Sequence, residues 1–217
     1  MHRAPTLNPR EPGRHGAGSR SLWLVAWGHD RPLASTPDPV APAPDTKDWT
    51  WVLERPCPEC GVEASRLEVP DLPGLLHDAT LALSEALRDG GAGVRPEPGT
   101  WSVLEYACHV RDVHRTMGER LTAMLEQDDP TFPNWDQDAT AVQERYHAQD
   151  PATVDVELVE AGGHVAGLWS AVQPEAYDRR GRRSNGSAFT VRTLGQYHLH
   201  DVLHHVHDVG RPVPGVH

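Results

Sequence analysis

Four stretches between residues 72 and 210 repeat apolar side chains at steps of three and four, the spacing that lines one face of an α-helix. Leu72, Leu75, Leu76, Ala79, Leu83 and Leu87 make the first. Val103, Tyr106, Val110, Val113, Met117, Leu121 and Met124 make the second, and Val154, Leu158, Ala161, Val165, Leu168 and Val172 the third. Val191, Leu194, Val202, Val206 and Val209 make the fourth. Helices are expected over Leu72 to Leu87, Ser102 to Glu126, Ala152 to Val172, and from Thr190 or Thr193 to Gly210. Each has a stripe that only another element can cover, so the fold class expected is all-α.

Stop and start signals agree with these bounds. Asp89-Gly90-Gly91-Ala92-Gly93 ends the first helix, and Ser102 followed three residues later by Glu105 opens the second as a capping box. Gly210 and Pro212 close the fourth. Gly162-Gly163 lies inside the third, where close packing or a kink is expected. The connection from Asp128 to Asp150, with a short helical piece around Ala139 to Tyr146, is too long for a helix that simply folds back. Arg179-Arg180-Gly181-Arg182-Arg183-Ser184-Asn185-Gly186 reads as a basic turn of a hairpin whose returning arm holds Phe189 and Thr190.

The expected organisation is one domain. Residues 1–46, rich in proline, glycine and arginine, read as a disordered tail; 47–65 form a short Trp/CxxC segment; 66–210 the helical domain; and 211–217 a C-terminal tail. The chain has 217 residues, with 20 Lys+Arg against 31 Asp+Glu and a formal net charge of -11, which argues against nucleic acid as a partner. No apolar run reaches the roughly 18 residues a membrane span needs. The run from Ser21 to Trp27 is too short for a signal segment, and a cytoplasmic location is expected.

The chemistry concentrates in the fourth helix. His198-Leu199-His200-Asp201-Val202-Leu203-His204-His205-Val206-His207-Asp208 carries five of the chain's 14 histidines. His200 and His204, four apart, place two imidazoles on one face, roughly opposite the aliphatic stripe. Such a pair needs a third ligand, and His109, on the flank of the second stripe, supplies one if helices two and four are neighbours. Three protein ligands would leave a position open for water or a thiol. Other combinations share that face, His204 with His207 or Asp208 and His200 with His207, and so does a merely solvated histidine-rich face. His198 faces the aliphatic stripe and His205 lies on its edge, as packing or supporting residues. Cys57-Pro58-Glu59-Cys60 is half of a zinc knuckle without its mate, expected to be a tight turn with packing thiols; a small zinc or redox site is the alternative.

Trp101-Ser102-Val103-Leu104-Glu105-Tyr106-Ala107-Cys108-His109, a W-S-x-x-E-x-x-x-H pattern, together with the late H-x-x-x-H helix, resembles the DinB-like family of metal-binding four-helix proteins. That family takes in mycothiol- and bacillithiol-dependent transferases and the metal-binding domain of mycothiol-dependent maleylpyruvate isomerase. The resemblance implies a four-helix bundle, up-down-down-up, whose long crossover lies between helices two and three. It implies a divalent metal on His109, His200 and His204, zinc foremost, with nickel, iron or manganese as alternatives, and homodimers as a frequent assembly. His207 and Asp208 would support the ligands. Arg180, Arg182 and Arg183 are the candidates for holding an anionic small-molecule substrate. The function expected is a thiol S-transferase that activates a low-molecular-weight thiol resembling mycothiol. A metal-hydroxide hydrolase on the same ligands, or a non-catalytic metal- or ligand-binding stress-response bundle, is the alternative.

Overall fold

The structure, a computed structural model, describes residues 48–215. The expected tail over residues 1–46 and the apolar run Ser21 to Trp27 lie outside the described residues. Five helices follow one another: α1 Leu72–Arg88, α2 Val103–Glu126, α3 Gln137–Gln143, α4 Pro151–Ser170 and α5 Val191–Asp208. Four of them are long, and these are the four the apolar stripes predict. Short 3-10 turns at Trp49–Leu53, Ala64–Arg66 and Val69–Asp71 precede them.

Side-chain contacts give the direction of each long helix. Thr80 packs on Gly162 while Ser84 and Arg88, further along α1, reach back to Asp155, so α1 and α4 run antiparallel. Arg111 pairs with Glu157 and Gly118 packs on Val165 and Leu168, so α2 and α4 run parallel. Tyr106, His109 and His114 meet His205, Asp201 and His198 in turn, so α2 and α5 are antiparallel. Leu72 approaches Gly195 at one end of α1, and Asp89 pairs with Arg211 just past its other end, so α1 and α5 are parallel. The bundle is therefore up-down-down-up, with residues 127–150 as the crossover. Close packing at Gly162 is realised: a Cβ there would lie 2.6 Å from the Thr80 hydroxyl, whereas Gly163 faces open space.

The fold departs from strict all-α by a small three-stranded sheet, β1 Thr131–Phe132, β2 Arg180–Arg183 and β3 Ala188–Thr190. β2 and β3 form the antiparallel hairpin foreseen for the basic turn, with Gly181 opposite Phe189, and β1 adds in parallel from the crossover. Gly181 is needed there, because a side chain would run into Met124 and Phe132. Arg179 caps α2: its guanidinium donates to the carbonyls of Met124 and Gln127, both at 2.6 Å, satisfying acceptors the helix end leaves open.

The segment before α1 lies along α5. Gln196 of α5 donates its side-chain amide to the carbonyls of Ser65 and Leu67, and Val52, Val62 and Ala64 are buried beneath. Among the described residues no helix is long and apolar enough to cross a membrane.

Candidate metal centre

The start of α2 is fixed by its first turn. Ser102 accepts from the Glu105 backbone N–H, and the Glu105 carboxylate accepts from the Ser102 N–H at 2.9 Å and its hydroxyl at 2.8 Å. Burial alone would push the Glu105 carboxyl up, but the Arg95 guanidinium and the Ser102 donors hold it below the usual carboxylate range. One turn further on, His109 is fully buried. Its ring stacks on Trp135 at 5.5 Å, packs on Trp101 at 5.4 Å, and meets His205 edge-on at 4.8 Å.

On α5, consecutive residues turn by about 100° around the axis, so the buried histidines divide between two neighbouring faces. Asp201, His205 and Asp208 face α2. His109 Nε2 and His205 Nε2 both lie 3.3 Å from Asp201 Oδ1, and His205 Nδ1 is 2.8 Å from Asp208 Oδ2. Burial lowers His109, and His109 Nδ1 has no hydrogen-bond partner among the described residues. Burial also acts to lower His205, but Asp201 and Asp208 on its two sides bring it up to about 9. Asp201, despite burial, is held well below the usual carboxylate range by His109 and His205.

His200 and His204 occupy the neighbouring face and meet the CxxC segment instead. Cys60 Sγ lies 3.7 Å from His200 Nε2, and Cys57 Sγ 3.7 Å from His204 Nδ1. The four donor atoms all fall within 4.8 Å of one another, and all four residues are buried. The turn is shaped by backbone bonds from Gly61 N–H to the Cys57 carbonyl and from Cys57 N–H to the Val62 carbonyl, both 2.9 Å. Gly61 there has φ +76°, which favours glycine. Burial pushes the Cys60 thiol up to about 12 and His200 down to about 4.

His198, seven residues before His205 and on the same side of α5, is a fully buried packing residue. Trp169 Nε1 donates to His198 Nδ1 at 3.1 Å, so the His198 Nε2–H donates to His114 Nδ1 at 3.0 Å. His114 in turn donates to the Thr80 hydroxyl at 3.1 Å, and that hydroxyl donates to the Leu76 carbonyl at 2.6 Å. Both imidazoles are neutral and satisfied; burial lowers His198 to about 4 and His114 well below its ordinary value.

The structure thus distributes the expected triad over two groups. His109 joins Asp201 and His205, while His200 and His204 join Cys57 and Cys60. The physical reason is helical phase: α2 meets α5 on the face one residue further along than the His200/His204 face. Asp208 pairs with His205 and also lies 3.8 Å from His204 Nε2, whereas His207 is exposed and, among the described residues, has Asp208 alone in ion-pair reach. The arginines lie on the sheet. Arg180 and Arg182 lie on the exposed side of β2, Arg182 paired with Asp129, and Arg183 packs over Phe189 and Tyr197.

A cavity of about 270 Å³ opens between the two groups. Trp49, Trp101, Tyr106 and Tyr197 give it aromatic walls, and Glu59, Asp138, Asp201 and Asp208 give it carboxylates; among the described residues no arginine lines it. Asp201 is the residue the sequence reading misses, and the Cys57/Cys60 turn, read there foremost as packing thiols with a zinc site as the alternative, meets two imidazoles. Asp201 and His205 have the same four-residue spacing as His200 and His204, and the CxxC pair finds its other half on α5.

Comparison with known proteins agrees with this architecture. Functionally curated proteins gave no match. Among solved structures, the chain is similar to YfiT from Bacillus subtilis, described as a probable metal-dependent hydrolase with an unusual four-helix bundle topology. The TM-score is 0.59 at 20% identity, over 65% of this chain and 83% of that one, a likeness of fold. The family model of the DinB superfamily matches residues 75–209, spanning most of α1 and all of α2, α4 and α5, and the chain accordingly belongs to the DinB superfamily.

Proposed function

We propose that this protein is a divalent-metal-dependent hydrolase of small neutral or cationic substrates, with its metal on His109, Asp201 and His205. One observation carries the proposal: three donors converge from α2 and α5, and two of them, Asp201 and His205, border the cavity. The fit can be tested on distances. Donors about 2.0–2.1 Å from a tetrahedral ion stand about 3.4 Å apart. The two 3.3 Å separations match that edge, and they are longer than the roughly 2.7–2.9 Å of a charge-assisted hydrogen bond. Two imidazoles and one carboxylate suit zinc, iron or manganese and leave coordination positions free. A divalent ion held there would bring the pKa of a coordinated water towards neutrality and polarise a substrate carbonyl.

The remaining residues bind, orient and exclude. Asp208 accepts the His205 Nδ1 proton, fixing the tautomer that turns Nε2 inwards. Trp101 and Trp135 cover His109 and keep bulk water from that side. Tyr106 borders the cavity; burial, with the Asp208 and Glu105 charges, pushes its phenol up to about 12, so it stays an O–H donor at neutral pH. The carboxylate-lined walls repel anions, reversing the preference expected from the arginines.

A thiol S-transferase would use the same three residues with a thiol in place of water. The oxygen donor Asp201 favours the harder water oxygen. The test is turnover of p-nitrophenyl esters and of uncharged amides by untagged protein loaded in turn with zinc, manganese and iron(II), for wild type, His109→Ala and Asp201→Asn. Hydrolysis that needs metal and is lost in both variants is expected. Conjugation of mycothiol to a simple electrophile, without hydrolysis of either substrate class, would move the assignment to the transferase.

A further inference from the structure

We infer that Cys57, Cys60, His200 and His204 form a second metal centre, a closed tetrahedral zinc site that fastens residues 48–67 to α5 and so builds one wall of the cavity. This inference stands apart from the hydrolase proposal, since no donor is shared.

The donor set and its spacing support it. Zinc–sulfur bonds of about 2.3 Å and zinc–nitrogen bonds of about 2.0–2.1 Å put tetrahedral sulfur and nitrogen donors about 3.6 Å apart. Two of the four sulfur–nitrogen separations here, on independent residue pairs, are 3.7 Å, and all four donors lie within 4.8 Å of one another. Two thiolates neutralise a zinc ion, so the loaded site carries no net charge into its buried surroundings; loading releases two thiol protons to solvent. His204 points Nδ1 at the site and turns Nε2 towards Glu59 at 3.5 Å and Asp208 at 3.8 Å, carboxylates placed to orient a ligating ring. Four protein donors leave no position for substrate, which makes the site structural.

What the site would hold also fits. Residues 48–67 contain only two short 3-10 turns and their linking loop, too little regular structure to keep a fixed position alone. Yet Trp49 and Glu59 from this segment line the cavity, with Trp49 packed on His204 at 5.2 Å and on His200 at 6.2 Å. A zinc ion beneath Trp49 would clamp that wall in place.

The decisive measurement is X-ray absorption at the zinc edge on untagged full-length wild-type protein, with metal content by mass spectrometry. Expected are one zinc per chain with two sulfur neighbours, and a sulfur-to-cobalt charge-transfer band after cobalt exchange. Cys57→Ser with Cys60→Ser should lose the sulfur shell, the band and that equivalent, while His109→Ala should keep all three. If the double variant fails to fold, the wild-type spectra still decide. Folded wild type whose cysteines react freely with a thiol reagent, and which shows no sulfur-bound zinc or cobalt after incubation with either, would overturn the inference. Loss of the sulfur signature in His109→Ala, with the fold retained, would overturn the independence of the two centres.

Discussion

Two donor groups on α5 begin from the same device, a pair of residues four apart, and end differently. His200 and His204 meet a CxxC turn, which brings two donors, and the group closes at four. Asp201 and His205 meet α2, which brings one, His109, and the group stays at three. Both border the same cavity through α5. The partner element decides openness: a knuckle offers two side chains from one turn, whereas a neighbouring helix at this crossing offers one residue per turn. On the two proposals, the closed group serves stability and the open group chemistry.

The largest expected effect breaks the comparison along that line. Cys57→Ser with Cys60→Ser should lower unfolding stability by several kcal/mol, since the free energy of a structural zinc site is folding free energy. His109→Gln, which keeps most of the buried ring's volume, should change the melting temperature far less while abolishing metal-dependent turnover. Denaturant titrations of both variants, beside their activities, check this. Equal destabilisation by the two changes would erase the distinction between the groups.

A third set of histidines on α5 sharpens it. His198 and His114 are closed by hydrogen bonds alone, so their contribution should not depend on metal. Burial keeps His198 neutral down to about 4, while in the unfolded chain it protonates near its ordinary value of about 6.5. The unfolded state thus binds the extra proton between those values, and stability falls as pH falls through that window, by about 3 kcal/mol for His198. The pH dependence of urea midpoints from 7 to 4 should be shallower in His198→Leu, with the difference unchanged by chelator. An unaltered slope would show that His198 is not held neutral in the fold.

Asp208 lies between the groups and tests whether they are separable at close quarters. Asp208→Asn removes the carboxylate that fixes His205 Nδ1–H but only a distant neighbour of His204. Metal affinity or activity at the open group should drop by about 10–100-fold. Competition with a chromophoric chelator, following zinc and sulfur-bound cobalt separately, should show little change at the closed group.

Much of this arrangement is written in local patterns. The stripes of α1, α2, α4 and α5, the capping box at Ser102 and Glu105, and the β2–β3 hairpin all depend on residues within one or two turns of one another. What depends on distant partners is not readable in that way. His109 and the α5 histidines were placed on the correct helices, but the choice between His200/His204 and Asp201/His205 is one step of helical phase, set by how α2 packs on α5. Cys57 and Cys60 lie some 140 positions from their imidazoles, so the CxxC turn looks like half a site until the fold supplies the rest. β1 is two residues long, and only β2 beside it makes a strand of it.

The smallest effect concerns the phase itself. Ser102 and Glu105 lock the first turn of α2, and His109 projects from the next turn towards Asp201. Ser102→Ala removes one half of the capping box and should cost about 1 kcal/mol of stability. It should also loosen the rotational setting of α2 at His109, weakening metal binding at the open group slightly while the sulfur-bound cobalt signal stays constant. If instead both centres weakened together, α2 would be positioning α5 as a whole, and the two groups would be two ends of one site rather than neighbours with separate duties.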